Sequence, residues 1–281
     1  MRTTLKGRTV EVNIDTEGPI VMIGEKINPT GHKRLAKALR EGDLEYVAEL
    51  ASRQASVGAH VLDINVGVPG LDEAALLCHV VRMVAGIVDL PLCLDSGSPQ
   101  ALAAGLAAAP GKPLVNSVNG EEASLESVLP LVNDRGAAVI GLTMDSSGVP
   151  KDADTRVAIA GKILERAVRL GIPQEDVVID PLVLTVGADT NSAAVTLETI
   201  ERVRQEFGVN INLGASNVSF GLPDRFTINQ AFLALAAGAG ASCMITDAEK
   251  YAGAILAVDL LRGRDMYGKR YIKHARLQGR V

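Results

Sequence analysis

The chain contains no tryptophan, and only eight of its 281 residues are phenylalanine or tyrosine. So sparse an aromatic content leaves no stacking platform of the kind that binds single-stranded nucleic acid. Basic residues are also in deficit: 28 Lys and Arg stand against 33 Asp and Glu, a formal net charge of −5. An acidic surface gives no electrostatic footing for a phosphate backbone, so nucleic-acid partners are not expected. Cysteine occurs three times, at Cys78, Cys93 and Cys243, scattered through apolar runs and never as a CxxC pair. That pattern predicts buried thiols in a reducing, cytoplasmic setting, and no CxxC pair points to zinc or redox work. The N-terminal 18 residues lack the apolar core of a secretory signal. Long apolar runs are missing too. The longest weakly polar stretch, 231–245, is rich in Ala and Gly and soon meets charge at Asp247, so no membrane span is expected.

What the chain does have is a repeated pattern. Short β-branched or Leu-rich runs occupy 19–25, 60–67, 90–96, 113–120, 137–145, 176–184, 209–217 and 241–248. They are apolar throughout, as strands covered on both faces of a parallel sheet are. Between them lie helical stripes: Leu77, Val80, Val81, Val84 and Ile87; then Ala160, Ile163, Leu164, Ala167 and Leu170; then Leu197, Ile200, Val203 and Phe207. Asp154 is the expected opening of the second helix, and Gly171 with Pro173 its stop. Eight strands alternating with eight helices predict an α/β fold, a (β/α)8 TIM barrel forming a single domain over 1–281. An open doubly wound sheet is the alternative, but no GxGxxG follows the first strand. Residues 1–18 form an N-terminal arm whose alternating "TVEVNI" fits a hairpin closing the barrel floor, and 263–281 a basic, solvated C-terminal tail.

In such a barrel chemistry is expected at the C-terminal ends of the strands. Polar residues gather there: Glu25 and Asn28, Asp63 and Asn65, Asp95, Asn116 and Asn119, Asp145, Asp180, Ser216 and Asn217, and Asp247. Turn and cap chemistry accounts for some of them. Asp63, Asp95 and Asp180, however, interrupt apolar runs and are costly to bury without partners, which points to a shared ligand site. Carboxylates and amides dominate and cations are scarce. That set is a poor phosphate cradle but suits a flat heterocycle rich in N–H donors, since a carboxylate accepts two parallel hydrogen bonds from an amino-amidine edge such as that of a pterin.

"GEKINPTG" (24–31), "LDINVG", "LCLDS", "VNSVNG", "IGLTMDSSGVPKDADTR", "VIDPLVL" and "GASNVS" follow one another in the order of a known family. Over about residues 20–250 the chain resembles the pterin-binding methyltransferases. It is similar to the folate domain of cobalamin-dependent methionine synthase and closer still to the methyltetrahydrofolate:corrinoid protein methyltransferases. Lys26 departs from the Arg of the family's opening Gly-Glu-Arg-x-Asn motif. Dihydropteroate synthases share the barrel but carry Ser-Arg-Lys where this chain has Ser216-Asn217-Val218.

The resemblance implies methyl transfer between N5 of 5-methyltetrahydrofolate and the cobalt of a corrinoid protein, by an enzyme that forms a homodimer. It implies that Asp95, Asn116 and Asp180 hydrogen-bond the pterin, that Asn217 with Ser216 beside it lies near N5, and that Asp63 and Asn65 line the same cavity. Glu25 and Asn28 then shape its floor, and Arg225 and Asp247 its rim. An amide at Asn217 cannot titrate, but its hydrogen bond to N5 can strengthen as charge develops there, which favours the transition state selectively. No Asp-x-His-x-x-Gly motif is present to ligate a corrinoid, so cobalamin is expected on a separate partner; no HExxH or spaced Cys/His cluster is present, so this chain is expected to bind no metal itself. Two alternatives remain open: a dihydropteroate synthase-like enzyme, and a non-catalytic folate-binding partner of a corrinoid protein.

Overall fold

The structure, a computed structural model, describes residues 1–279. Two strands, β1 (Arg2–Lys6) and β2 (Glu11–Asp15), pair antiparallel as a hairpin. Seven more, β3 (Val21–Ile27), β4 (Val61–Ile64), β5 (Leu92–Asp95), β6 (Leu114–Asn119), β7 (Ala138–Leu142), β8 (Val177–Asp180) and β9 (Cys243–Thr246), form one parallel sheet in the order β8-β7-β6-β5-β4-β3-β9. The sheet curls until its edges face the same segment. Ile179 N donates to Asn210 O and Asn212 N to Ile179 O on one side, while Cys243 N donates to Ile211 O and Ile245 N to Leu213 O on the other, all at 2.9–3.0 Å. Residues 210–214 thus take the place of an eighth strand and close the barrel through isolated bridges.

That segment differs from the strand expected over 209–217. Its extended part stops at Gly214, and Ala215–Ser219 turn into a 3₁₀ helix in which Asn217 N donates to Gly214 O. The sixth expected strand, 176–184, likewise stops at Asp180, because Pro181 has no N–H for the ladder and Leu182 takes φ 62°.

Helices cover the outside of the barrel: α1 (Lys33–Glu41) and α2 (Glu45–Ser56) both after β3, then α3 (Glu73–Ile87), α4 (Pro99–Ala108), α5 (Glu122–Arg135), α6 (Ala153–Arg169), α7 (Ser192–Phe207), α8 (Arg225–Ala239) and α9 (Ala248–Leu261). Their stripes face inward as the periodicity requires, with Leu77, Val80, Val81 and Val84 fully buried, although Ile87 and Leu170 at the helix ends are both 42% exposed. The cap of α6 is Asp152, not Asp154. Asp152 has extended φ/ψ and accepts from Thr155 N at 2.7 Å, which leaves Asp154 within the first turn, beside the positive end of the helix dipole. The basic C-terminal stretch is helical over α10 (Lys269–Leu277), which lies on α9 and buries none of its own residues. Arg280 and Val281 of that stretch lie outside the described residues. No helix among the described residues is long and apolar enough to cross a membrane.

The core has two layers. Residues between strands and helices form the larger; Leu5, Ile14, Val21, Ile23, Val61, Cys93, Leu114, Ala138, Ile140, Val178 and Cys243 form the inside of the barrel. Leu5 and Ile14 come from the hairpin, so β1 and β2 plug the barrel's N-terminal end. Asn210 Nδ2 holds them there with 2.9 Å bonds to Thr3 Oγ1 and Ile14 O. Gly111, at φ 62°, lets the β5–β6 connection pass under the plug; a Cβ there would lie 2.2 Å from Lys6 O.

Candidate active site

Successive side chains of a strand alternate between its faces. Ile23, Val61, Cys93, Leu114 and Val178 point into the barrel, so two residues further along each strand the inward positions are Glu25, Asp63, Asp95, Asn116 and Asp180. One polar layer therefore rests on the apolar one, at the C-terminal end. Register shifts in the β3–β4 and β6–β7 ladders fall beside Glu25 and Asn116, where irregular pairing re-aims side chains.

Above this layer opens a cavity of about 650 Å³. Eight residues proposed from the sequence line it: Glu25, Asn28, Asp63, Asp95, Asn116, Ser216, Asn217 and Arg225. Asn65 stands behind, donating through Nδ2 to Asp95 Oδ2 at 3.0 Å. Asp180 is buried beneath the mouth and is not among the lining residues. Its Oδ1 accepts from Leu182 N at 2.8 Å and its Oδ2 from Asn212 Nδ2 at 2.7 Å, and a carboxylate retains lone pairs for a ligand after two such bonds. Asp247 is no rim residue. It is 3% exposed, paired with Lys26 Nζ at 2.6 Å, and lines a neighbouring cavity and not this one.

The electrostatics of the floor follow from the burial of its carboxylates. Burial pushes the Asp63 pKa up, and the Asp95 charge adds to it, against hydrogen bonds from Cys93 and Asn116. Asp95 is raised by burial, with the Asn65 amide opposing. Asp180 is pushed up to about 6, again by burial, with the Leu182 N–H and Asn212 amide opposing. Asn116 Nδ2 donates to Asp63 Oδ1 at 3.2 Å, which turns its carbonyl oxygen free for a ligand donor. A ligand bringing several N–H groups supplies what these oxygens lack, and the acceptor set fits a pterin edge on that ground.

Asn217 sits on the cavity's exposed edge, and its side-chain amide makes no hydrogen bond among the described residues. The turn that carries it is braced by Arg225, whose Nη2 donates to Ser216 O at 2.6 Å and whose Nε donates to Ser219 Oγ at 3.0 Å. Ser219 is in turn tied to Asn229 and Asn229 to Tyr251. The Arg225 guanidinium is thus engaged with its own loop.

Several residues of the site lie outside the strand-end pattern of the sequence. Asn212 alternates with Asn210 in "VNINLG", so both amides face the barrel interior, one to the plug and one to Asp180; period two was the available signal. Arg156 lies four residues before Ala160 on the apolar stripe of α6, and a charge on a buried stripe was a signal too. It is 1% exposed and donates to Pro150 O, Pro181 O, Leu182 O and Thr196 Oγ1, which holds the loop after Asp180 in place. Gln54 accepts from Lys26 N at 2.9 Å. That approach requires Gly24, where a Cβ would stand 2.5 Å from Gln54 Oε1. His32 and the exposed Phe220 at the mouth carried no signal in the sequence. Asn119 and Asp145, by contrast, are turn residues, accepting from Glu121 N and Ser147 N.

A closed parallel barrel with a polar, pterin-compatible layer at its C-terminal end defines a class, and the chain matches the pterin binding enzyme family over residues 24–247. It belongs to that family. Along 267 residues it is 31% identical to a methylcorrinoid:tetrahydrofolate methyltransferase of Eubacterium limosum, covering 93% of this chain and 98% of that protein. The methionine synthase of Mycobacterium tuberculosis is 32% identical over 247 residues, 83% of this chain and 21% of the longer relative. Among solved structures, Yersinia pestis DHPS with a pterine-sulfa conjugate superposes with a TM-score of 0.72 over 93% of this chain and 99% of that one; at 21% identity the likeness is one of fold.

Proposed function

We propose that the protein is a methyltransferase that moves a methyl group between N5 of 5-methyltetrahydrofolate and the cobalt of a corrinoid carried by a partner protein. The observation that carries the reading is the unpartnered amide of Asn217 at the lip of a cavity whose floor is Asp63, Asp95 and Asn116. The name and near-complete coverage of the Eubacterium limosum relative support the same substrates. In this reading Asp95, Asn116 and Asp180 bind the N–H edge of the pterin and fix its plane. N5 then faces the mouth, where the cobalt approaches in line with the N5–methyl bond. Asn217 donates to N5 as it becomes a leaving group, a bond that strengthens in the transition state. Asp63 positions Asn116, Asn65 positions Asp95, and Arg225 positions the Asn217 turn.

The experiment mixes the protein with methyltetrahydrofolate and reduced cobalamin, free or on a corrinoid protein, and follows conversion of Co(I) to methyl-Co(III). Turnover by the unmodified protein is expected. Asn217→Ala should slow a single turnover by about a hundredfold or more, with folate Kd changed far less. An unchanged single-turnover rate in that variant removes the leaving-group role. Condensation of a pterin pyrophosphate with p-aminobenzoate in place of methyl transfer would make the protein a synthase, and tight folate binding with neither reaction would make it a binding partner only.

A further inference from the structure

The proposed reaction carries a proton with it. When a methylated corrinoid supplies the methyl group, the N5 lone pair forms the new N–C bond and the Co–C pair stays on cobalt. The N5–H bond then breaks, releasing one proton; the reverse direction takes one up. A corrinoid seated at the mouth covers the cavity's opening at that moment, so the proton needs a second way through the protein.

Beside the main cavity lies a smaller one of about 220 Å³, bounded by Lys26, Tyr46, Leu50, Arg53, Gln54 and Asp247. Lys26 and His32 line both, so the two spaces share a wall. Gln54 and Asp247 are 4% and 3% exposed, yet Gln54 Nε2 and Asp247 Oδ1 have no hydrogen-bond partner among the described residues. One is a donor and the other an acceptor. Buried polar atoms that protein leaves unpaired are normally satisfied by ordered water, and this space exceeds the ~30 Å³ share of one water several times over. A small apolar ligand is disfavoured by the two orphan atoms. A cation is disfavoured by Lys26 and by Arg53, which is paired with Glu249 at 2.5 Å across the chamber's outer side.

We propose that this side chamber holds an ordered water chain that carries the reaction's proton between N5 and solvent, by way of Glu25 and Asp247. The assignment rests on the methyltransferase reading. Lys26 Nζ occupies Asp247 Oδ2 at 2.6 Å, which leaves Oδ1 for a chamber water. Glu25, the neighbour of Lys26 on β3, lines the main cavity and accepts from Ser216 Oγ at 3.4 Å, one residue from Asn217. Burial raises its pKa and the Asp247 charge adds to the rise, against Lys26, so Glu25 senses the occupant of the chamber wall and is suited to hold a proton in transit. The other charged and titratable groups around the path are His32, Tyr46, Arg53 and Glu249, which line the chamber, and Lys250, 3.5 Å from Asp247 Oδ2. Released from N5, the proton passes to the Glu25 carboxylate, then to chamber water anchored on Asp247 Oδ1, and out past the Arg53–Glu249 pair. Each carrier returns to its starting state, and no further reactant is consumed.

Two variants fill the chamber from different sides without touching the pterin cavity: Leu50→Phe and Val57→Met. A high-resolution crystal structure of the unmodified protein is expected to show waters bonded to Gln54 Nε2 and Asp247 Oδ1, and structures of the variants to lack them. With folate Kd within about twofold of the unmodified protein, single-turnover methyl transfer to a corrinoid protein should slow by roughly tenfold or more in both variants, with a larger rate loss in D₂O. A dry chamber in the unmodified protein overturns the assignment, and so do filled variants that keep the original rate and isotope effect. An unmodified protein that transfers no methyl group fails the methyltransferase reading itself, and the two failures are told apart because the chamber waters are seen crystallographically in either case.

Discussion

Asp180 shows how much one buried carboxylate sets at the residue scale. Its pKa near 6 lies above its unfolded value because burial disfavours the charge more than Leu182 N–H and Asn212 favour it. A carboxyl raised in this way gives a folding contribution that is complete below the unfolded pKa and is lost as pH rises through about 6. Ligand binding has the opposite sign, since pterin N–H donors need the ionised form. Folate affinity is therefore expected to rise about tenfold between pH 5 and pH 7 in the unmodified protein. Asp180→Asn should flatten that part of the profile and weaken binding, with isothermal titration across the range as the check. A profile as steep in the variant would move the titration to another group, with Asp95 next in line. His60 shows that position alone does not make a functional histidine. Its Nδ1 accepts from Met22 N at 2.9 Å, burial lowers its pKa to about 4, and it works as a neutral structural bond.

At the scale of the element, the loop after β8 depends on one side chain from α6. Arg156 spreads its guanidinium over three carbonyls and a hydroxyl, with no ion pair to a carboxylate among the described residues. Burial lowers its pKa accordingly. Removing the fork leaves Pro181 O without that donor, next to the residue that is to hold the pterin. Arg156→Met is expected to cost about 3 kcal/mol of stability, as losing charged hydrogen bonds in a buried site does. Folate affinity should fall as well, and Arg156→Lys should recover only part of either, because an ammonium cannot reproduce the planar fork. Urea unfolding and folate titration of the two variants test this. A variant of full stability but weakened binding would put Arg156 in contact with ligand instead.

For the whole molecule the barrel is held at its bottom and along its seam by residues that the sheet itself does not provide. Its bottom is plugged by the hairpin, where Leu5 and Ile14 are fully buried against Val21, Val178 and Cys243. Its open seam is closed by 210–214 through single bridges on each side. Ile14→Ala removes buried methyl groups at a place surrounded by rigid strand ends. Destabilisation of about 3 kcal/mol is expected, with a lower Tm, while folate Kd stays the same because the polar layer lies at the other end. A large change in Kd would mean that the plug and the site are coupled through the apolar layer between them. The basic face of α10 lies outside all of this: the site shares no residue with it.

The sequence by itself determined the alternation of strand and helix, the direction of the helix stripes and the identity of most of the polar layer. Each of these depends on chemistry repeated locally, at period two or three to four, and local repetition is written along the chain. Asp63, Asp95 and Asp180 were legible because a charge inside an apolar run is expensive, wherever the strand sits, and Glu25 and Asn116 because polar residues gather at the strand ends. The tertiary structure decided the rest. That Asn212 meets Asp180, that Arg156 braces Pro181, that Lys26 neutralises Asp247 and so removes it from the rim, and that Gly214 ends the closing segment before Asn217 all depend on elements far apart in sequence. Such pairings are chosen by which side chains the closed barrel brings within hydrogen-bond reach, and no spacing along one strand records that choice.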